Sequence, residues 1–191
     1  MRYTTLDMKK TLYLAIGTVL TVCMAVTSLA KDGGRFNGIK AKFELRNAAG
    51  QLVTEKDLKG RYTLLAFGFT HCLHICPMMA ANMAMALKAS KEDSLGVFIS
   101  VDTERDTAAV TQAYAAAFHP AMMGLSGSYE QIRQAANNFS VNYVVTKSQK
   151  AYTVEHTSDI FLIGPDGKVL EVFALNASPK AMADAMHPTV E

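Results

Sequence analysis

Phe67-Gly68-Phe69-Thr70-His71-Cys72-Leu73-His74-Ile75-Cys76-Pro77 is the stretch from which the rest of the chain is read. Its first residues close an apolar run, Tyr62 to Phe69, with the composition of a buried strand. Pro77 follows the second thiol, at a place where a proline can open a helix because the first helical N–H groups have no partners. The stretch therefore predicts a strand, a tight loop and a helix start, with both sulfurs presented at that start. A helix N-terminus carries partial positive charge and favours thiolate over thiol. Thiolate is the form that attacks a disulfide and the form that binds a metal.

Outward from this stretch, strands alternate with helices. On the N-terminal side, Ala41 to Leu45 reads as a strand, Asn47-Ala48-Ala49-Gly50 as a turn and Gln51 to Val53 as a short return strand. Thr54 to Leu58 reads as one helical turn stopped at Gly60. On the C-terminal side, Met78 to Ala89 is helix by composition and Leu95 to Val101 a second buried strand. A charged loop, 102–106, precedes a helix from Ala108 to Phe118, which His119-Pro120 ends. Met122 to Leu125 is a short strand, and Ser128 with Gln131 forms a capping box for a helix reaching Phe139. Val141 to Val145 reads as an edge strand and Thr146 to Lys150 as a polar loop. Thr157 to Ile163 and Lys168 to Ala174 flank the turn Gly164-Pro165-Asp166-Gly167, and Ser178-Pro179 opens a last helix, Lys180 to Met186. The pattern implies an α/β sandwich with a mixed sheet and an N-terminal β-hairpin extension.

Residues 1–30 stand apart. Arg2, Lys9 and Lys10 precede an uncharged run from Thr11 to Ala30, which ends Ser28-Leu29-Ala30. That is the build of a secretory signal peptide, and the run is also long enough to remain as a membrane anchor. Residues 31–39 read as a linker and 40–191 as the exported domain. Cys23 lies within the apolar run after Val22, and a lipoprotein-type cysteine would follow a small residue instead. The net charge of +2 comes from the leader; without it, acidic and basic residues are equal in number. No basic cluster remains, which excludes a nucleic-acid partner.

Cys72 and Cys76 are the cysteines of the exported part. A bridge closing so short a loop would constrain little of the unfolded chain, so the spacing suits chemistry better than stapling. One helical turn apart, the two side chains can converge on one metal ion or meet as a disulfide. Two thiolates leave a metal undersupplied, and the remaining candidates are His71, His74, His119, His156 and His187. His156 is the best placed, immediately before an apolar strand, where a side chain at a sheet's mouth can face a loop at the same end. Two soft thiolates and one imidazole suit copper; zinc would prefer a fourth ligand.

Three blocks carry a family resemblance. Residues 67–77 resemble the Phe-Gly-Phe-Thr-His-Cys-x-x-x-Cys-Pro signature of the Sco/SenC family. Ile99 to Thr107 is similar to its Ser-x-Asp-Pro-Glu-Arg-Asp-Thr stretch, with Thr103 in place of the usual proline. Glu155-His156-Thr157 and Leu162 to Gly167 resemble its third block, and the likeness runs over roughly 40–176. It implies a thioredoxin-like fold and a metallochaperone that holds copper, as Cu(I) or Cu(II), on Cys72, Cys76 and His156 for the CuA centre of cytochrome c oxidase. It also implies a copper-receiving oxidase subunit as partner and a periplasmic domain tethered to the inner membrane by residues 1–30. Between the thiols the family commonly has Pro-Asp-Val, whereas this chain has Leu73-His74-Ile75: a carboxylate is lost and an imidazole gained.

Two other chemistries fit a redox-active thiol pair. In a thiol–disulfide oxidoreductase acting on the target's cysteines, Cys72 would attack and Cys76 resolve. A peroxidase or redox sensor would form sulfenic acid. Other residues have blander readings: His71 and His74 as exposed loop histidines, and His119 and His187 as helix-end residues. Met78, Met79, Met83 and Met85 read as core filling rather than a copper relay, as do Met122, Met123, Met182 and Met186. Asp102, Glu104, Arg105 and Asp106 read as a solvated, capping loop.

Overall fold

The computed structural model describes residues 38–90, 92–148 and 151–186. Residues 1–30 and Cys23, most of the linker, and His187 lie outside them. Among the described residues no helix is long and apolar enough to cross a membrane.

The central sheet follows from two continuous apolar runs. β3 (Tyr62–Gly68) and β4 (Ser94–Ser100) pair in parallel with Leu65 opposite Val97. Successive side chains on a strand point to opposite faces. Leu64, Ala66 and Phe98 therefore enter one core layer, and Leu65, Phe67, Val97 and Ile99 the other. Because both faces are covered, neither strand needs polar alternation. β5 (Met122–Leu125) extends the parallel side, whereas β8 (Ile160–Ile163) and β9 (Val169–Phe173) add antiparallel strands, giving the order β5-β4-β3-β8-β9.

One face is covered by α1 (Ile75–Ala89), α2 (Ala108–Phe118) and α4 (Pro179–Ala185). Met79 and Met83 of α1 meet Met182 and Met186 in this layer, as the sequence led us to expect. Met78 and Met85, expected in the core as well, point to solvent instead. The opposite face is covered by α3 (Tyr129–Asn138) and the hairpin of β1 (Glu44–Arg46) and β2 (Leu52–Thr54), around Phe43, Phe67, Phe139 and Phe161. Burying one such Phe or Leu contributes about 1.5–3 kcal/mol. The helix starts follow their caps: Thr107, Ser128 and Ser178 each accept a backbone N–H from the first turn. The Ser128–Gln131 capping box forms, and a second joins Thr54 to Asp57 over the 3-10 turn Glu55–Leu58. Gly167, at φ +85°, takes the left-handed position of the β8–β9 turn, which a side chain would strain.

Two readings change. The edge strand expected at Val141 to Val145 is β6 (Tyr143–Lys147), and it pairs with β7 (Tyr152–His156) in a separate antiparallel hairpin, not with the central sheet. β7 alternates, with Tyr152, Val154 and His156 part-buried and Thr153 and Glu155 exposed, but only two of its five residues are apolar and no turn signal precedes it, so the sequence does not set it apart from the polar loop before it. In addition, α1 begins at Ile75 rather than after Pro77, so Cys76 is a first-turn residue and Pro77 the next, where a missing N–H is tolerated.

Candidate metal centre

The carboxyl ends of parallel strands are where α/β sheets present ligand sites. Here β3 delivers the cysteine loop to that end, and β4 delivers the acidic loop beside it, joined by Val101 N–H to Gly68 O at 2.8 Å. β8 runs antiparallel to β3, with Ile160 opposite Ala66, so the residues preceding β8 arrive at the same end. That is how His156 reaches the Cys76 sulfur, 80 residues away.

The helix start is capped in an unusual way. His74 is the N-cap of α1, yet its side chain makes no capping bond. The Cys72 sulfur takes that role, accepting the Cys76 N–H at 3.3 Å. Burial pushes the Cys72 thiol up, but the amides of Cys76, His74 and Ile75 and the Cys76 thiol outweigh it and hold Cys72 below its ordinary value. Cys76 is different. It is fully buried, and burial, then its hydrogen bond with Cys72, drives its thiol far upward. The expectation of two favoured thiolates is thus met by Cys72 alone, because the helix turns Cys76 inward. Gly68 makes room for it: a Cβ there would lie 2.6 Å from Phe98 Cζ and 3.1 Å from Cys76 Sγ.

His156 closes β7, opposite Tyr143. Its Nδ1 lies 2.8 Å from Thr157 O and its Nε2 3.2 Å from Cys76 Sγ. The carbonyl can only accept, so Nδ1 carries the proton and Nε2 offers its lone pair to the sulfur. This is the arrangement that fixes an imidazole as a metal ligand through Nε2. Burial holds the His156 pKa below its ordinary value, against a smaller opposing effect of Thr157 O, which keeps the ring neutral. The Phe69 ring meets it edge-on, with centroids 5.9 Å apart.

The acidic loop is solvated at Glu104, as expected, but not at its two aspartates. Asp102 and Asp106 are fully buried. Asp106 accepts from Thr70 N–H (2.7 Å), Thr70 Oγ1 (2.6 Å) and Ser100 Oγ (2.6 Å), with His71 Nδ1 at 3.4 Å. Asp102 accepts from Arg105 Nε (2.5 Å) and from the Tyr152 hydroxyl (2.7 Å). Burial raises the Asp102 pKa, but Tyr152 and Arg105 overcome it and hold the carboxyl below the usual range. The Tyr152 hydroxyl, pressed by burial and by Asp102, rises to about 12. The sequence marks only their position, not their burial: both aspartates lie in the loop that leaves a buried parallel strand at the sheet's site end.

His71, Asp102 and Asp106 place donor atoms within 4.8 Å of one another. Their oxygens already serve the donors just named. His74 stays exposed at the rim. His119 is the C-cap of α2, and its Nδ1 accepts the Ala121 N–H instead of donating to helix carbonyls. An open cleft of about 340 Å³ runs past Cys72, between His71-to-Ile75 on one wall and Arg105 with Tyr152-to-Val154 on the other. Leu73 stands 82% exposed on its rim.

A family model, SCO1/SenC, matches residues 32–191. The chain belongs to the SCO1/SenC family. Protein SCO1 homolog 1, mitochondrial, of Arabidopsis thaliana is 37% identical over 153 residues, covering 78% of this chain and 46% of that protein. The chain therefore spans about half the length of that relative. Arabidopsis thaliana ScoI with copper bound superposes with a TM-score of 0.71 at 37% identity, covering 76% of this chain and 94% of that one. Bradyrhizobium japonicum ScoI with copper bound gives 0.69 at 35%, covering 78% and 97%. The fold is thioredoxin-like, as the family resemblance implies.

Proposed function

We propose that this SCO1/SenC protein is a copper metallochaperone that carries the ion on Cys72, Cys76 and His156 and passes it to the CuA centre of cytochrome c oxidase. The approach of His156 Nε2 to Cys76 Sγ at 3.2 Å carries this reading. Relatives with copper bound support the choice of metal. Copper is cargo here. Two thiolates and an imidazole suit Cu(I), and Cu(II) when a further ligand is recruited. Loading requires the buried Cys76 thiol to give up its proton, so copper uptake releases protons. Cys72, on the cleft side, is the ligand that an incoming thiol of a copper-receiving oxidase subunit reaches first, and the low coordination number leaves room for that exchange. Residues 1–30 export the domain and tether it to the membrane on the periplasmic side.

Titration of the reduced full-length protein with Cu(I), against a competing chelator, tests the site. One equivalent should bind, with affinity lost in Cys72→Ser and Cys76→Ser and sharply reduced in His156→Ala. Unchanged affinity in His156→Ala would remove the imidazole from the ligand set.

A second reading is supported by the unequal thiols. A half-buried Cys72 held low and a fully buried Cys76 held high have the character of the attacking and resolving pair of a thiol–disulfide oxidoreductase. Thiol exchange with a dithiol peptide would then survive His156→Ala, whereas copper binding would not.

A further inference from the structure

We propose that the loop after β4 is a two-ended bracket setting the imidazole against the thiols, with Tyr152, Asp102 and Arg105 as positioning residues for the copper site. The inference rests on reading Cys72, Cys76 and His156 as the ligands.

The β6–β7 hairpin that carries His156 pairs with no strand of the central sheet. The bonds at its base, Thr157 N–H to Asn142 O at 2.9 Å and Asn142 N–H to Thr157 Oγ1 at 3.1 Å, join its own two ends. Tyr143 and Val154 rest on the edge of the core, which sets the depth of the hairpin but leaves its reach unspecified. The directional contacts come from the acidic loop. The Tyr152 hydroxyl donates to Asp102, the Arg105 guanidinium lies 3.9 Å from the Tyr152 ring centre, and Lys147 pairs with Glu104. Tyr152 and His156 are four residues apart on one strand and so share a face. Fixing Tyr152 aligns the rail on which His156 rides.

The other end of the bracket holds the cysteines. Asp102 N–H donates to Ser100 Oγ at 3.1 Å, Ser100 Oγ donates to Asp106, and Asp106 takes both the N–H and the hydroxyl of Thr70, two residues before Cys72. One continuous network, buried at Asp102, Ser100 and Asp106 and part-buried at its two ends, thus runs from the hairpin to the thiol loop. Arg105 alone would compensate the Asp102 charge, so the Tyr152 bond is additional to what burial of that carboxylate demands.

The test is a double-mutant cycle on the full-length reduced protein with Cu(I) alone as probe. Tyr152→Phe removes the hydroxyl and keeps the ring under Arg105. In the chain with His156 intact it should weaken Cu(I) binding about tenfold, the scale of one hydrogen bond to a charged group. In the His156→Ala background it should change nothing, because its effect passes through the imidazole. X-ray absorption should show two sulfurs retained and the nitrogen contribution diminished. Hydrogen exchange should quicken in β6 and β7 and stay unchanged in β3 and β4. Equal weakening in both backgrounds, wild-type affinity in Tyr152→Phe, or faster exchange through β3 and β4 would each overturn the bracket. Wild-type affinity in His156→Ala is a different result: it sinks the ligand reading itself.

Discussion

Cys72 and Cys76 share a motif but not an environment. Cys72 caps a helix at the cleft and is held low, whereas Cys76 is enclosed beneath Gly68 and held high. Alkylation of the native, reduced protein near neutral pH should label Cys72 at least about ten times faster than Cys76, with the Cys72 midpoint shifted down from that of an ordinary free thiol. Peptide mass spectrometry reads both sites; equal labelling would contradict the asymmetry. Cys72 and Cys76 were legible as candidate ligands because two thiols and a proline beside a buried strand are rare together, and His156 because it precedes an apolar strand within a block that resembles the family's. Tyr152, Asp102 and Asp106 were not, because an isolated tyrosine and a run of charges carry no mark of burial. Only the close approach of the sheet-end loops makes them a network.

Elements here are positioned by how closely their backbones meet. Gly124 on β5 lies against α2, where an added Cβ would fall 2.3 Å from the Thr111 carbonyl and 2.4 Å from Gln112 N. Gly96 on β4 would meet the flexible Met122 side chain at 2.6 Å. Gly124→Ala should therefore cost about 3 kcal/mol, lowering the melting temperature by roughly 6–12 °C, and Gly96→Ala clearly less. Thermal melts of the two variants decide it, and equal losses would show that α2 can slide. Helices with Ser or Thr caps were readable to within a residue or so. The pairing of β6 with β7 was not, since β7 is a half-exposed ribbon without the long apolar run that announces a core strand.

At the scale of the whole molecule, stability should fall on acidification in two windows. His156 has a depressed pKa in the folded state, so the unfolded chain takes up that proton first and stability declines below about 6.5. Asp102 is also depressed; its contribution is complete above about 3.9 and is lost as the pH falls through the lower folded value. Urea midpoints between pH 3 and pH 8 should show both slopes, with His156→Gln flattening the upper and Asp102→Asn the lower. A pH-independent midpoint in the unmodified chain would refute the assignment. The mixed sheet was legible because burial on both faces writes itself as uninterrupted Leu, Val, Ile and Phe.

Leu73 has a consequence of its own. An apolar crown planted between two sulfurs is an open invitation to be covered, and hiding it returns about 2 kcal/mol to whatever settles there. A partner settling there would also expel solvent from the doorway beside Cys72, so in the proposed transfer arrival and drying would be a single event.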